Sequence, residues 1–338
     1  MAIRVLNADA VNRLLTYEAA LDAMVELFAL SAQDAAVGYG RIDLPHPNGW
    51  LRVLPGFIAP LGVFGYKSLN RADGVGVRYA VHVHDLDTGG LVGMVDALAL
   101  TNVRTGAVTA LATDHLAGPA VATAAVIGTG PVAQGQMEAL ELVRPVEEVR
   151  VFARTPAHRR RFIELMAGRA SGRLVECDSV DDAVETADLV TLATSATDPV
   201  LLRRHLRPGM HINSVGPASR ERAEVDPAAF AAFDRVVCDT VDLVFAEAGD
   251  ASAAVEHGVI TADAAIELSA VVVGRAPGRG AAEEITLFKS VGAGVQDLIL
   301  AARLLAAAER HDVGSVVDDF VSVKRFEPGP GPAGRRGG

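Results

Sequence analysis

Cysteine is scarce in this chain: there are two in 338 residues, Cys177 and Cys238. They lie far apart, and neither stands in a CxxC pair or beside a histidine cluster. That spacing argues against a disulfide framework and against a metal site, and two small residues packed in strands are the expectation. Positive charge is also short. Lys and Arg number 31 against 42 Asp and Glu, for a net charge of −11, whereas a nucleic-acid partner needs clustered cations to neutralise phosphates. Acidity of this kind suits a soluble cytoplasmic enzyme. Long unbroken apolar runs are missing as well. No charged residue occurs from Leu116 to Met137, a length that could suggest a membrane span. Gly118, Pro119, Gly128, Gly130, Pro131 and Gly135 interrupt it, so a buried strand, a tight turn and a helix are expected, and no membrane association. The opening MAIRVLNADAVNRLL has no apolar core bounded by a small-residue cleavage site, and no signal peptide is expected.

What is present is apolar: half the residues are hydrophobic and 22% are charged, which excludes disorder for the body of the chain. The length suits two well-packed domains. From Thr16 to about Gln33, Leu21, Met24, Val25 and Phe28 recur at helical spacing, and Thr16 can cap the start. GYGRIDLPHPNGWLRVLPG, rich in Gly and Pro, reads as extended chain and loop. VFGYKSLN and VRYAVHVHDLDTGGLVGMVD then read as a meander of strands, with Asp87, Thr88, Gly89 and Gly90 in a hairpin turn. From about residue 121 the pattern changes. VATAAVIGTG is a continuous apolar run, as in a parallel strand buried on both faces. A helix from Pro131 to Val143 follows, then strand EVRVFAR, helix AHRRRFIELMAG, strand RLVEC, helix SVDDAVETA, and strands DLVTLATS, MHINSV, RVVCDT and TLFKSVG. This alternation predicts an α/β fold, a Rossmann-type doubly wound parallel sheet beside an α+β unit. A long, well-buried helix is expected from Val295 to about Ala308, and a disordered Gly/Pro-rich tail, EPGPGPAGRRGG, after it.

Gly128-Thr129-Gly130-Pro131-Val132-Ala133 fits the G-x-G-x-x-A dinucleotide fingerprint. The first glycine permits the turn and the second lets backbone approach a pyrophosphate. The small Ala133 allows close helix–strand packing, and the helix N-terminus offers amide donors. Its place between an apolar strand and a helix raises it above a chance match. NAD-type sites end the second strand with an acid. Here the strand ends Phe152-Ala153-Arg154-Thr155, so Arg154 and Thr155 favour the 2′-phosphate of NADPH (NADP) over NADH (NAD). His158, Arg159 and Arg160 add charge nearby, or are the solvated face of the next helix.

Arg41, Lys67 and Arg104 each lie among apolar or small residues. Singly they read as solvated surface cations; converging, they would make an anion pocket with an arginine gripping a carboxylate. His82 and His84 share a strand face, but with no third ligand evident they read as part of a half-exposed sheet, not a metal site.

Together these residues resemble the ornithine cyclodeaminase/mu-crystallin family. The resemblance is carried in order by GYKSLN, DLDTGGLVGMVDALALTNVRTGAVTAL, VIGTGPVAQGQMEAL, VTLATSATDPVL, HINSVGPASRERAEVD and EITLFKSVGAGVQDLILAARLL. It implies a homodimer. Residues 1–118 and 294–325 would form a substrate-binding and dimerisation domain around an NAD(P)-binding Rossmann domain, 119–293, with 326–338 a disordered tail. It implies that Arg41, Lys67 and Arg104 hold the carboxylate of a small α-amino or α-imino acid. Hydride would pass between nicotinamide and α-carbon, with Lys67 as the candidate for proton transfer. The cofactor set widens to Thr194, Ser195, Ser214, Val215 and Gly216. One departure matters. Family cyclodeaminases carry an aspartate in the loop after the HIN strand, and the matching position here is Ala218. That favours imine reduction or amino-acid dehydrogenation over an ornithine cyclodeaminase-type reaction with catalytic NAD. A non-catalytic NADPH- and ligand-binding protein like mu-crystallin is the remaining alternative. Arg220 and Arg222 could meet a second negative group on the substrate or belong to a solvated loop.

Overall fold

The computed structural model describes residues 2–216, 218–318 and 320–322. The expected tail at 326–338 lies outside them. The first unit runs β1 (Ile3–Leu6), α1 (Ala8–Leu14), α2 (Tyr17–Ser31), β2 (Ala36–Gly38), β3 (Ile42–His46), β4 (Gly49–Ile58), β5 (Val63–Ala72), β6 (Gly76–Asp85), β7 (Leu91–Asp96) and α3 (Leu98–Leu116). The second runs β8 (Thr123–Ile127), α4 (Pro131–Leu140), β9 (Glu148–Phe152), α5 (Pro156–Met166), β10 (Arg173–Glu176), α6 (Val180–Val184), β11 (Leu189–Leu192) and β12 (His211–Ser214). It continues with β13 (Arg235–Cys238), α7 (Val241–Glu247), α8 (Gly249–Glu256), β14 (Ile266–Glu267), α9 (Leu268–Val272) and β15 (Thr286–Lys289). The chain then returns to the first unit with α10 (Gly294–His311) and β16 (Ser315–Val317).

Two eight-stranded sheets result. The first is mixed, in the order β16-β1-β7-β6-β5-β4-β2 with β3 paired to β4. The second, β10-β9-β8-β11-β12-β15-β13-β14, is parallel throughout. Its strands β11 and β12 are buried at every residue, as two helix-covered faces require. Strand order reverses beside β8: β9 and β10 extend to one side and β11 to the other. The crevice at the carboxyl ends of β8 and β11 is therefore the topological switch point, where such sheets take ligands.

Thr16 caps α2 as expected, accepting the Ala19 amide at 3.2 Å. The 38–56 segment, read as extended chain and loop, is mostly paired strand. Ile42–His46 pairs with the first half of β4, Gly49–Val53, in a hairpin, and β4 pairs along its length with β5. The partners of these strands, not their Gly and Pro content, decide their conformation. Helix α3 is a further element that periodicity does not announce. Its hydroxyls recur every fourth residue, and Thr105 and Thr109 bond back to the carbonyls of Thr101 and Thr105.

Helix α10 lies across the inner face of the mixed sheet. A Cβ on Gly65 would come within 3.0 Å of Leu298, and one on Gly93 within 2.6 Å of Leu305. These glycines let the helix sit on the strands. Strand alternation then dictates that Lys67, two residues past Gly65, points at α10. Among the described residues no helix is long and apolar enough to cross a membrane.

Candidate functional site

The fingerprint turn sits at the switch point. Gly128 has φ +110°, and a Cβ there would stand 2.2 Å from the Ala193 carbonyl oxygen at the end of β11. Only glycine fits that approach. A Cβ on Gly130 would meet nothing within 4 Å, so open space lies over the turn. Pro131 opens α4, Val132 follows, and Ala133 is fully buried against the sheet. Thr129 and Gly130 face that space with the helix N-terminus behind them, which fits a dinucleotide pyrophosphate. Arg154 and Thr155, just past β9, are both exposed. Arg159 is buried and bound to the Ala153 carbonyl (2.9 Å), Glu176 (3.0 Å) and Asp178 (3.1 Å). It braces the fold, leaving Arg154 as the cation nearest the end of β9.

The remaining wall of the crevice is fastened by a residue that sequence reasoning missed. Glu224 is fully buried. Its carboxylate accepts the Thr194 amide (2.7 Å) and hydroxyl (2.8 Å), the Ser214 hydroxyl (2.8 Å) and the Gly216 amide (2.8 Å). Lys289 donates to Ser214 (2.8 Å) and pairs with the buried Asp250 (2.7 Å). The hydroxyls of Thr194 and Ser214 thus tie two loops together. Ser195 lies exposed beside them, and Val215 is buried.

The three cations expected to gather do so at the same edge of the parallel sheet. Arg41, in the short link between β2 and β3, donates to the carbonyls of Val291 (3.1 Å) and Gly292 (3.2 Å), just past β15. It also pairs with Glu247 at the end of α7. Arg104, on α3 and 7% exposed, donates to Gln296 Oε1 at 2.7 Å. It packs so closely on Gly292 that a Cβ there would lie 2.8 Å from both guanidinium Nη atoms. Lys67, 2% exposed, donates to Asp297 Oδ1 at 2.8 Å, and Arg104 Nε stands 3.4 Å from the same oxygen.

The electrostatics follow from that packing. Burial pushes the Lys67 ammonium down, with Arg104 and Arg41 adding to the effect against the opposing pull of Asp297, to about 8. Burial pushes the Asp297 carboxyl up, but Arg104 and Lys67 outweigh it and hold it below its usual range. The buried atoms without a hydrogen bond include Arg41 Nε, Arg104 Nε and Asp297 Oδ2 of this cluster. A cluster with unused donors beside a cation that titrates near neutrality can bind a carboxylate and move a proton.

Asp297, Gln296 and Glu247 lay outside the sequence reading, because their partners are 230, 192 and more than 200 positions away. A charged residue in the apolar run of α10 was the one available signal. His82 and His84 stack on Tyr66 (4.5 Å) and Phe64 (5.0 Å) on the sheet's other face. Arg220 pairs with Glu256, and Arg222 donates weakly to the Ser195 carbonyl at 3.4 Å, so only Arg222 borders the crevice. Ala218 is half-buried.

Comparison with known proteins agrees with this architecture. Residues 2–310 match the model of the ornithine cyclodeaminase/mu-crystallin family. A Delta(1)-pyrroline-2-carboxylate reductase of Bacillus cereus is 33% identical over 239 residues, covering 70% of this chain and 73% of that protein. The structure of Thermococcus litoralis Delta(1)-pyrroline-2-carboxylate reductase, with NADH and L-proline, superposes with a TM-score of 0.88 at 28% identity. It covers 93% of this chain and 99% of the other. An archaeal alanine dehydrogenase dimer with bound NAD superposes equally well, at 0.88 and 26% identity, over 95% of this chain and all of its own. The chain belongs to the ornithine cyclodeaminase/mu-crystallin family.

Proposed function

We propose that this family member is an NAD(P)H-dependent oxidoreductase acting on a small α-imino or α-amino acid, as an imine reductase or amino-acid dehydrogenase. The observation that carries the reading is the convergence of Arg41, Lys67 and Arg104 at the crevice edge of the sheet whose switch point holds the glycine turn. The relatives supply the substrate class. The Thermococcus protein holds NADH and L-proline, and the Bacillus relative is named as a reductase of the corresponding cyclic imine.

When bound, the nicotinamide supplies or accepts the hydride at the substrate's α-carbon. The arginines grip the substrate carboxylate and so fix that carbon in place, which turns a bimolecular encounter into an oriented one. Lys67, held by Asp297, gives a proton to the substrate nitrogen in reduction and takes it back in oxidation. Ala218 offers no carboxylate for a second amine, which supports imine reduction over cyclodeamination.

NADPH is the preferred cofactor on this reading, because the strand end that would carry the ribose-binding acid carries Arg154 and Thr155 instead. The two solved structures described above hold NADH and NAD, so the preference rests on this chain's own residues. The protein works as a homodimer. Supporting this, Phe64, Tyr66, His82 and His84 form a half-buried aromatic patch on the sheet face opposite α10. The test is a turnover panel: NADPH and NADH against cyclic imines and against α-keto acids with amines, with ornithine plus NAD as the contrast. Consumption of NADPH by a cyclic imino acid is expected. Proline and ammonia from ornithine would overturn the ranking.

A further inference from the structure

The anchors of two of the three cations trace back to one carboxylate, and that carboxylate belongs to the parallel sheet. Asp239 follows β13 and is 4% exposed. Its Oδ2 accepts the Ser290 hydroxyl (2.8 Å), the Gly292 amide (2.8 Å) and the Gln296 side-chain amide (3.1 Å). Its Oδ1 accepts the amides of Thr240 (3.0 Å) and Val291 (3.3 Å). The turn at 290–292 is therefore pulled onto a single side chain. That same turn presents the two carbonyls that Arg41 binds and the Cα surface on which Arg104 lies. Gln296 completes the relay, since its amide nitrogen is on Asp239 and its oxygen takes the Arg104 hydrogen bond.

We infer that Asp239 is the positioning residue of the substrate pocket, acting from the dinucleotide side on Arg41 and Arg104, which stand on the other unit. This rests on the imino-acid reading of the pocket. The chemistry favours a carboxylate in that role. An ionised carboxylate accepts at both oxygens and donates at neither, so it can gather five donors that no neutral side chain of its size could satisfy. Asparagine would set an NH₂ group against at least two of them. The arginines would keep their charge but lose the fixed backbone that aims them. Orientation of the carboxylate clamp would suffer, and the glycine turn after β8, four strands along the same edge from β13, would not.

The experiment uses the full chain and three readouts: KM for pyrroline-2-carboxylate at saturating NADPH, NADPH affinity by fluorescence titration, and L-proline binding to the NADP-loaded protein by calorimetry. Asp239→Asn should raise KM and weaken proline binding roughly tenfold to hundredfold, with NADPH affinity within about twofold of the wild type. Gln296→Met removes only the relay to Arg104 and should give a smaller shift of the same kind; it also decides the matter if Asp239→Asn does not fold. Folded variants with unchanged KM and proline affinity would overturn the inference. So would an equal loss of NADPH and substrate affinity, the mark of a general brace. A wild-type protein that turns over no member of the panel and does not bind proline removes the functional reading and this inference together. A competent wild type with unaffected variants removes this inference alone.

Discussion

Replacing Lys67 by methionine separates the two things that this residue does. The stem keeps its length and its packing between β5 and α10, while the ammonium and its bond to Asp297 disappear. For stability, the fully buried Asp297 loses its shortest partner. Arg104 stays 3.4 Å away, so the carboxylate is not stripped of counter-charge. The cost should therefore fall below that of breaking an isolated buried pair, at about 1.5–3 kcal/mol. For activity, loss of a positioned proton donor should lower kcat by about 10²–10⁴, with NADPH affinity unchanged. The assay is NADPH consumption with pyrroline-2-carboxylate, run beside a melting curve and a cofactor titration. The pH profile gives the sign. Because Lys67 titrates near 8, imine reduction in the wild type should decline as pH rises through that value and the donor loses its proton. Amine oxidation should climb over the same window. Both limbs should vanish in the variant. Full turnover in Lys67→Met, or an unchanged limb, would refute the reasoning.

Gly128→Ala forces a Cβ to within 2.2 Å of the Ala193 oxygen, at a φ that side chains rarely adopt. NADPH affinity should drop at least about tenfold by calorimetric titration, and wild-type affinity would contradict the placement of the cofactor. Arg154→Asp should move the ratio of kcat/KM for NADPH over NADH toward NADH by roughly 10–100-fold; an unmoved ratio removes Arg154 from the phosphate site. Tyr66→Glu places charge on the aromatic outer face, and sedimentation velocity should show the dimer replaced by monomer. A stable dimer would locate the contact elsewhere.

The parallel sheet was legible because strands buried on both faces are mostly apolar and uncharged, as β8 and β11 are, and because helices of ordinary length separate them. Helix α3 was not. It is buried on most sides, so no stripe of charged residues marks its period, and its threonines and valines dilute the helix-forming Ala and Leu among them. Strand β3 depends on β4, and β4 on β5, so their conformation is a matter of pairing that local composition does not express. The site divides the same way. Cations in apolar settings stand out along a chain, and Arg41, Lys67 and Arg104 did. The carboxylates that pair with Lys67 and Arg41, Asp297 and Glu247, look like ordinary acidic residues until folding brings them across more than 200 positions, and Asp239 reaches the arginines only through the 290–292 turn and Gln296. Glu224, whose partners lie only 8 to 30 positions away, likewise shows its role in the crevice loops only once the chain is folded. What a buried ion does depends on a partner, and partners are a property of the tertiary fold.

The most direct test of the central claim is to incubate the protein with pyrroline-2-carboxylate and NADPH while following both nucleotide and amino acid. The account predicts NADPH consumed in equal measure with proline formed, faster than with NADH. NADPH that is bound, as thermal protection would show, yet left unconsumed by this imine and by the rest of the panel would contradict it and leave a ligand-binding protein in its place.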